Sequence, residues 1–440
     1  MAVHVSNEGS LSGGPSRATL YSWIVFALSF GLLISDYMAR QVLNAVFPLL
    51  KAEWDLSDAQ LGLLTGIVAI MVGLLTFPLS LAADKWGRVR SLALMAILWS
   101  LATLLCAVAR SFEEMLLGRA LVGVGEAAYG SVGIAVVISV FPQRLRATLA
   151  AAFMAGGLFG QVLGVAAGAE IAADYGWRVA FMVIGVFGLA LGVLYPIIVR
   201  EKRIAALATE TPQQPADTPD TPDQKTGSPS LRSLFSSRSV RLAYMGSGLE
   251  LFATASLAAW LPSYLNRYYD LPVDSAGRVA AVLLLVCGTG MIMCGTLSDR
   301  LARNRPENKI ALAMTYCLTA AVCLTVAMQL PFGTGQLVIL GAALFFVGGT
   351  NGPSGAMVAN LTPLALHGSA FATLTLANNL FGLAPGPIIT GRIADSIGLH
   401  GAFMLLPVTC VAAALCFGAM RRSYLADLGP DAHLLSSRKS

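Results

Sequence analysis

Charge is what this chain of 440 residues has least of: Asp, Glu, Lys and Arg make up 12% of it, against 56% hydrophobic residues. A soluble domain carries about twice that charge, so a chain this poor is not built to face water. Histidine is scarcer still. His4, His367, His400 and His433 are expected in tails and turns, so a proton relay inside the apolar runs would have to use carboxylates. The chain lacks H-E-x-x-H, G-x-S-x-G and a strand-led glycine loop for phosphate, which argues against an enzyme. Its seven cysteines (Cys106, Cys287, Cys294, Cys317, Cys323, Cys410 and Cys416) lie singly in apolar segments, without C-x-x-C or Cys/His spacing. No metal site, cofactor or disulfide framework is therefore indicated, and they read as packing residues. A charged and then apolar leader with a small-residue cleavage site is also missing, so Tyr21 onward reads as a retained first span.

What the chain has instead is apolar runs of about 20 residues, the length that crosses a hydrocarbon core, recurring from end to end at a mean hydropathy of +0.71. They are continuous rather than alternating, which excludes the strands of an outer-membrane barrel and leaves helices. Helices are predicted at 21–50, 59–83, 91–110, 114–140, 147–172, 178–199, 240–267, 273–298, 308–330, 334–361, 368–394 and 401–421. The fold class is thus an all-α membrane protein of twelve transmembrane helices in two six-helix halves. The expected organisation is a disordered cytoplasmic N-terminus (1–20), a first bundle (21–200), a Pro/Thr/Asp-rich cytoplasmic linker (201–238), a second bundle (239–422) and a cytoplasmic tail (423–440). The net charge of +5 comes from short basic clusters rather than a continuous basic face, so no nucleic-acid partner is indicated. Those clusters (Lys85, Arg88 and Arg90; Arg144 and Arg146; Arg300, Arg303, Arg305 and Lys309) all follow even-numbered helices, and the positive-inside bias puts that side in the cytoplasm.

The halves repeat. "SLAADKWGRVR" after the second helix and "GTLSDRLARNR" after the eighth place Asp84-Lys85 and Asp299-Arg300 at equivalent points, 215 residues apart. Internal duplication across a linker is the architecture of a secondary transporter whose halves rock about a midplane site. From Tyr21 to Arg422 the chain resembles the major facilitator superfamily, whose cytoplasmic turn reads G-x-L-x-D-R-x-G-R-R. Gly295, Leu297, Asp299, Arg300 and Arg303 match it in the second half. Asp84, Lys85, Gly87 and Arg88 match in the first, where Ser80 stands for the leading glycine. "YMARQVL" (37–43), "LSDAQLGLLTG" (56–66), "GRALVGVGEAAYG" (118–130), "GWRVAF" (176–181) and "GLAPGPIITGRIAD" (382–395) resemble the spinster-like branch and, less closely, anion:cation symporters. Ala39 stands where spinster-like proteins usually have the aspartate of Asp-Arg-Gln, and an acid lies one turn earlier at Asp36. Gln161 follows Gly160 where the drug antiporter signature would place a proline.

A charge at bilayer depth costs at least about 2.5–3.5 kcal/mol, so it is retained where it pairs or acts. Asp36 and Arg40 are one turn apart on the first helix; Arg119 and Glu126 are two turns apart on the fourth, with Gly123 and Gly125 expected to thin the wall between them; Glu250 lies on the seventh. The charges of the first and fourth helices are expected to face a central cavity, with Asp36, Glu126 and Glu250 coupling protons; the resemblance also implies that role for the first and fourth helices, whereas reaching a membrane interface is the alternative for Glu250. An ion-pair network that merely locks helix 1 to helix 4 is the alternative. Arg40 and Arg119 would bind a substrate bearing a carboxylate, phosphate or sulfonate. Tyr37, Asn44, Tyr129, Gln161, Trp260, Tyr264, Asn351, Asn378 and Asn379 are further polar candidates for the cavity or for interhelical bonds. Asp84, Lys85, Arg88, Asp299, Arg300 and Arg303 are expected to form a conformational gate that favours the outward-open state. The function these readings predict is a proton-coupled symporter of a small organic anion in the inner membrane, working as a monomer. A spinster-type carrier of lysolipid is the alternative, and a non-transporting membrane receptor is the alternative of another class.

Overall fold

The computed structural model describes residues 17–204, 237–302, 308–362 and 367–427, and among these every regular element is helical. In the first half α1 is Arg17–Trp54, α2 is Asp58–Trp86 and α3 is Arg88–Val108. α4 comes in two pieces, Phe112–Glu126 and Tyr129–Ser139, followed by α5 (Gln143–Tyr175) and α6 (Trp177–Ile198). In the second half α7 is Arg238–Tyr268, α8 is Val273–Leu301 and α9 is Asn308–Gln329. α10 is again two pieces, Thr334–Gly348 and Asn351–Asn360. α11 starts as His367–Asn378, passes through a π-helical turn at Asn379–Leu383 and enters Pro385–Asp427, which Gly398 divides into the rest of α11 and α12.

Local chemistry sets these ends. Ser57 starts α2 with a reciprocal cap: the Gln60 amide donates to its hydroxyl, and its own amide donates to the Gln60 side chain. Three connections are a single glycine each: Gly87 (φ 95), Gly176 (φ 86) and Gly398 (φ 77), a backbone region that side chains other than glycine's resist.

Ten helices are long and apolar enough to cross a membrane, one of them running over 53 residues, Ser369–Arg421. Such a helix would be about 80 Å long, far beyond the ~30 Å of a hydrocarbon core. The Gly398 turn folds it into two crossings. The twelfth crossing is α7, whose serines, glycines and tyrosines hide it from a hydropathy search, yet it is buried along its length among α1, α8, α10, α11 and α12. Twelve helices in two halves are therefore present. A second spacing, 222 residues, relates them: it separates Phe112 from Thr334, Glu126 from Gly348 and Gly176 from Gly398. The two-piece α4 and α10 are copies of one broken helix.

Close packing rests on small residues, since lipid offers no hydrophobic drive between helices. Gly156, Gly160, Gly164 and Gly168 lay α5 against α1; a Cβ on Gly160 would come 2.7 Å from the Ile34 carbonyl oxygen and from Tyr37 Cβ. Gly123 and Gly125 serve the same end and do not thin a wall between Arg119 and Glu126. A Cβ on Gly123 would meet α2 at Val68 and Met71, and one on Gly125 would meet the Trp99 amide of α3 at 2.6 Å.

The halves close on each other at the end that carries the α1–α2 turn. Arg267 of α7 donates two hydrogen bonds of 2.7 Å to the carboxylate of Asp58, which also pairs with Lys51 at 2.5 Å. Asp395 of α11 accepts the Asp58 and Ala59 amides at the first turn of α2, 2.7 and 3.0 Å. Beneath them Phe47 packs on Trp260 with ring centres 5.0 Å apart, and Gly62 lies against the Pro387 carbonyl. The opposite end is different. Among the described residues no ion pair bridges the halves there, and Asp299 pairs with Lys309 of its own half at 3.0 Å.

Two outcomes follow. Gly160→Val should overpack the α1–α5 seam and lower stability by about 1–3 kcal/mol, read as a lower Tm; an unchanged Tm would contradict the seam. Asp58→Asn, which breaks a nearly buried charge pair, should speed hydrogen exchange of amides 58–62 on the order of tenfold or more, with little effect on the amides of α9.

Candidate functional site

α1 is walled by α2, α5 and α6 and touches α7 of the other half, so side chains exposed midway along it face the lumen between the halves. Arg40 is the charged one. Its side chain keeps 22% of its surface, and its Nε lies 2.6 Å from Oε2 of Glu126, which has none. Asp36, one turn before Arg40 on the same helix, is nearly buried. Tyr37 lies under the guanidinium, 5.4 Å from ring centre to Cζ. Glu126 is the last residue of the first piece of α4, so the helix break at Ala127 and Ala128 puts it at the point where the backbone turns. Thr76 secures the break by donating to the Ala127 carbonyl at 2.6 Å.

Arg119 corrects an expectation. It does not line the lumen: it is 1% exposed and spends its donors on the carbonyls of Ala39 (2.8 Å), Arg40 (3.2 Å) and Leu64 (3.3 Å). Its planar fork suits three carbonyls better than it suits a solvated cavity, and it ties α4 to α1 and α2 while leaving its charge in place. The two arginines have thereby parted roles. Arg40 is free on one side and paired on the other; Arg119 is fully committed.

The remaining expected residues divide. Tyr37, Gln161, Asn351 and Asn378 are half-buried, and Asn378 accepts from Ser247 of α7 at 2.8 Å. Asn44 is 2% exposed but belongs to a polar chain in which it donates to Gln41 (2.7 Å) and accepts from Thr65 (2.8 Å). Asn379 is buried in the π-helical turn, bonded to the Thr375 carbonyl. Tyr129, Trp260 and Tyr264 do not reach the lumen, all three being fully buried. Tyr129 donates to the Ser29 carbonyl at 2.7 Å, Trp260 to the Pro387 carbonyl at 3.1 Å, and Tyr264 sits with His400 and Gln336 near the sealed end. His400 is itself a correction: it lies in α12 just beyond Gly398, half-buried and 2.9 Å from the Tyr264 hydroxyl, not in an open turn. His4 and His433 lie outside the described residues, as does the side chain of His367.

Glu250 is 1% exposed, with Oε1 unpartnered, on α7, which packs along both pieces of α10. Each half thus holds a buried glutamate beside its broken helix. Of the gate residues, Lys85, Arg88, Asp299 and Arg300 are exposed, while Arg303 and the side chain of Asp84 lie outside the described residues. The residues that sequence reasoning missed are Gln41, Thr65, Lys51, Asp58, Arg267 and Asp395. Four of these sit inside stretches already notable for their family likeness: Gln41 in "YMARQVL", Asp58 and Thr65 in "LSDAQLGLLTG", and Asp395 in "GLAPGPIITGRIAD".

The family model for the Major Facilitator Superfamily matches residues 28–353. The chain belongs to that superfamily. Among superfamily relatives, it is 27% identical to the probable L-galactonate transporter of Escherichia coli (strain K12) over 84% of this chain and 82% of that one. It is 25% identical to the hexuronate transporter of Bacillus subtilis (strain 168), over 89% and 92%. The sphingosine-1-phosphate transporter SPNS2 of Danio rerio is also 25% identical, over 91% and 84%. In fold, the superfamily chain is similar to the crystal structure of a bacterial homolog to the human lysosomal transporter Spinster in an inward-facing, unoccupied conformation. That match has a TM-score of 0.79 at 21% identity and covers 94% of this chain and 99% of that one. The chain is a multi-pass membrane transporter of this superfamily.

The division between the arginines has a measurable consequence. Arg119→Gln should lower the Tm more than Arg40→Gln, by an extra 1–3 kcal/mol on the order of one buried charged hydrogen-bonding group left unmet. Equal losses would mean that Arg119 is no more structural than Arg40.

Proposed function

We propose that the protein is a proton-coupled symporter of a small organic anion, carboxylate in type, working by alternating access in the inner membrane with both termini cytoplasmic. The observation that carries this reading is Arg40, a half-free guanidinium in the lumen whose other face is held by Glu126 at 2.6 Å. A substrate carboxylate and Glu126 compete for one cation. When the anion takes Arg40, Glu126 is left buried without its ion-pair partner, and a buried carboxylate in that position takes a proton instead. Asp36, nearly buried one turn before Arg40, is a second carboxyl that can share the proton with Glu126 when Arg40 is on substrate. Arg119, committed to backbone carbonyls, supplies a standing positive potential that favours an anion.

The cycle follows from that competition. Protonation of the pair on the side of higher proton concentration releases Arg40 to the anion, the halves rock, and loss of the proton lets Glu126 reclaim Arg40 and expel the anion. By the positive-inside bias the sealed α1–α2 end faces outward, which makes this conformation inward-facing. Tyr37, Asn44, Gln161, Asn351 and Asn378 are proposed to shape the anion site, with Glu250 a second proton carrier in the other half. Asp84, Lys85, Arg88, Asp299, Arg300 and Arg303 are proposed to lock the inner end in the opposite state. The names of the galactonate and hexuronate transporters, both of sugar acids, support a carboxylate.

The test is Glu126→Gln in proteoliposomes loaded with sugar acids. The variant should exchange substrate across the membrane yet fail to accumulate it when the outside is made acidic, whereas the normal chain accumulates more as external pH falls. Loss of both activities would give Glu126 a binding or structural role. The likeness to SPNS2 favours one second reading, a lysolipid carrier in which the same arginine holds a phosphate; it predicts flux of lysophospholipid and none of sugar acids.

A further inference from the structure

Away from the lumen, a groove of about 500 Å³ opens on the surface of the second half, lined by Arg238 of α7, Met314 of α9, and Ala414, Leu415, Gly418, Ala419 and Ser423 of α12. α9 and α12 pack on each other, and Leu415 is 68% exposed, so this face is turned to lipid. The groove exists because Gly418 has no side chain: a Cβ there would come 3.2 Å from the Met314 methyl.

Its polarity is graded along the bilayer normal. Ala414, Leu415, Gly418 and Ala419 lie within the apolar span that ends at Arg421, while Ser423 and Arg238 lie at or beyond its limit. Arg238 is exposed and has no ion-pair partner among the described residues. The carboxylate beside it, Asp427, is engaged elsewhere: its Oδ2 accepts the Ser237 hydroxyl at 2.7 Å and the Ser239 amide at 3.2 Å. Arg241, one turn along α7 and also exposed, adds a second cation to the same region.

We propose that this groove binds an anionic phospholipid, with the phosphate on the Arg238 guanidinium and one acyl chain along Ala414, Leu415, Gly418 and Met314. A soluble anion would use the arginine and leave the apolar trough empty, whereas a neutral lipid would fill the trough and leave the arginine unmatched. An anionic lipid meets both. The site is separate from the Arg40 region, and its occupancy is independent of which substrate the lumen carries.

The experiment uses the full chain in mixed micelles titrated with phosphatidylglycerol or phosphatidylcholine, with the first bound lipid counted by native mass spectrometry. Phosphatidylglycerol should be retained about fivefold better than phosphatidylcholine, the worth of one arginine at a membrane surface. Arg238→Gln should bring the two to parity, and Gly418→Leu should reduce retention of both. Lys202→Gln, an exposed cation on the other half, should leave the preference unchanged. Equal retention of the two lipids by the unsubstituted chain would overturn the proposal. So would an undiminished preference in Arg238→Gln, a loss in Lys202→Gln equal to that in Arg238→Gln, or displacement by millimolar glycerol 3-phosphate, which would assign the arginine to a soluble phosphate.

Discussion

Five ionisable side chains sit inside a stack of apolar helices, Asp36, Arg40, Arg119, Glu126 and Glu250, and everything central to the structure depends on how the two arginines among them are kept there. A lone charge at that depth costs several kcal/mol, and the chain meets the cost for each arginine differently. Arg119 donates to three backbone carbonyls of α1 and α2 and is paired with no carboxylate among the described residues. Arg40 is matched to one carboxylate on one side only. The first solution builds the bundle and the second leaves it able to work, since an ion pair with one open face is one that another anion can enter.

The same economy appears in the helices that carry the charges. The broken α4 ends its first piece at Glu126, and the broken α10 packs against α7, which carries Glu250. Interrupted helices near the middle of a bundle put polar backbone and ionisable side chains at one depth, tolerated because neighbouring side chains such as Thr76 satisfy the freed groups. Meanwhile the glycine stripe of α5 and the small residues of α4 let α1 through α5 approach until side chains touch backbone, which fixes Arg40 relative to Glu126. At the α1–α2 end a bidentate Arg267–Asp58 pair and the Asp395 cap on α2 hold the halves together.

Much of this was legible in the sequence, and the residues show why the rest was not. The twelve helices, the two halves and the five intramembrane charges follow from apolar periodicity and the cost of burying charge. α7 was found because the eye allows serines and glycines in a span, although its hydropathy alone fails. The division between Arg119 and Arg40 was not legible, since both read as cavity arginines; only the positions of the Ala39, Arg40 and Leu64 carbonyls separate them. Gly123 and Gly125 were assigned to the wrong neighbours for the same reason: spacing says that a helix is thin at one face, not what presses on it. Tyr129, Trp260 and Tyr264 read as lumen residues by their polar tips, which in fact meet the backbone carbonyls of Ser29 and Pro387 and, for Tyr264, His400 and Gln336. His400 shows the opposite error, a residue dismissed as a turn because the Gly398 bend looks like a loop. The 222-residue spacing could have been found beforehand, as "GWRVAF" and "GLHGAF" share Gly, Ala and Phe at that offset.

The central claim is that substrate and Glu126 compete for Arg40, and proton counting tests it most directly. Purified protein in weakly buffered solution with a pH-indicating dye would be mixed with galactonate, a hexuronate or gallate, the acids named for its relatives. The account predicts that whichever acid binds draws about one proton per molecule from solution as Glu126 lets go of Arg40, and that Glu126→Gln binds the same acid without drawing any. Tight binding with no proton uptake by the unsubstituted chain would contradict it.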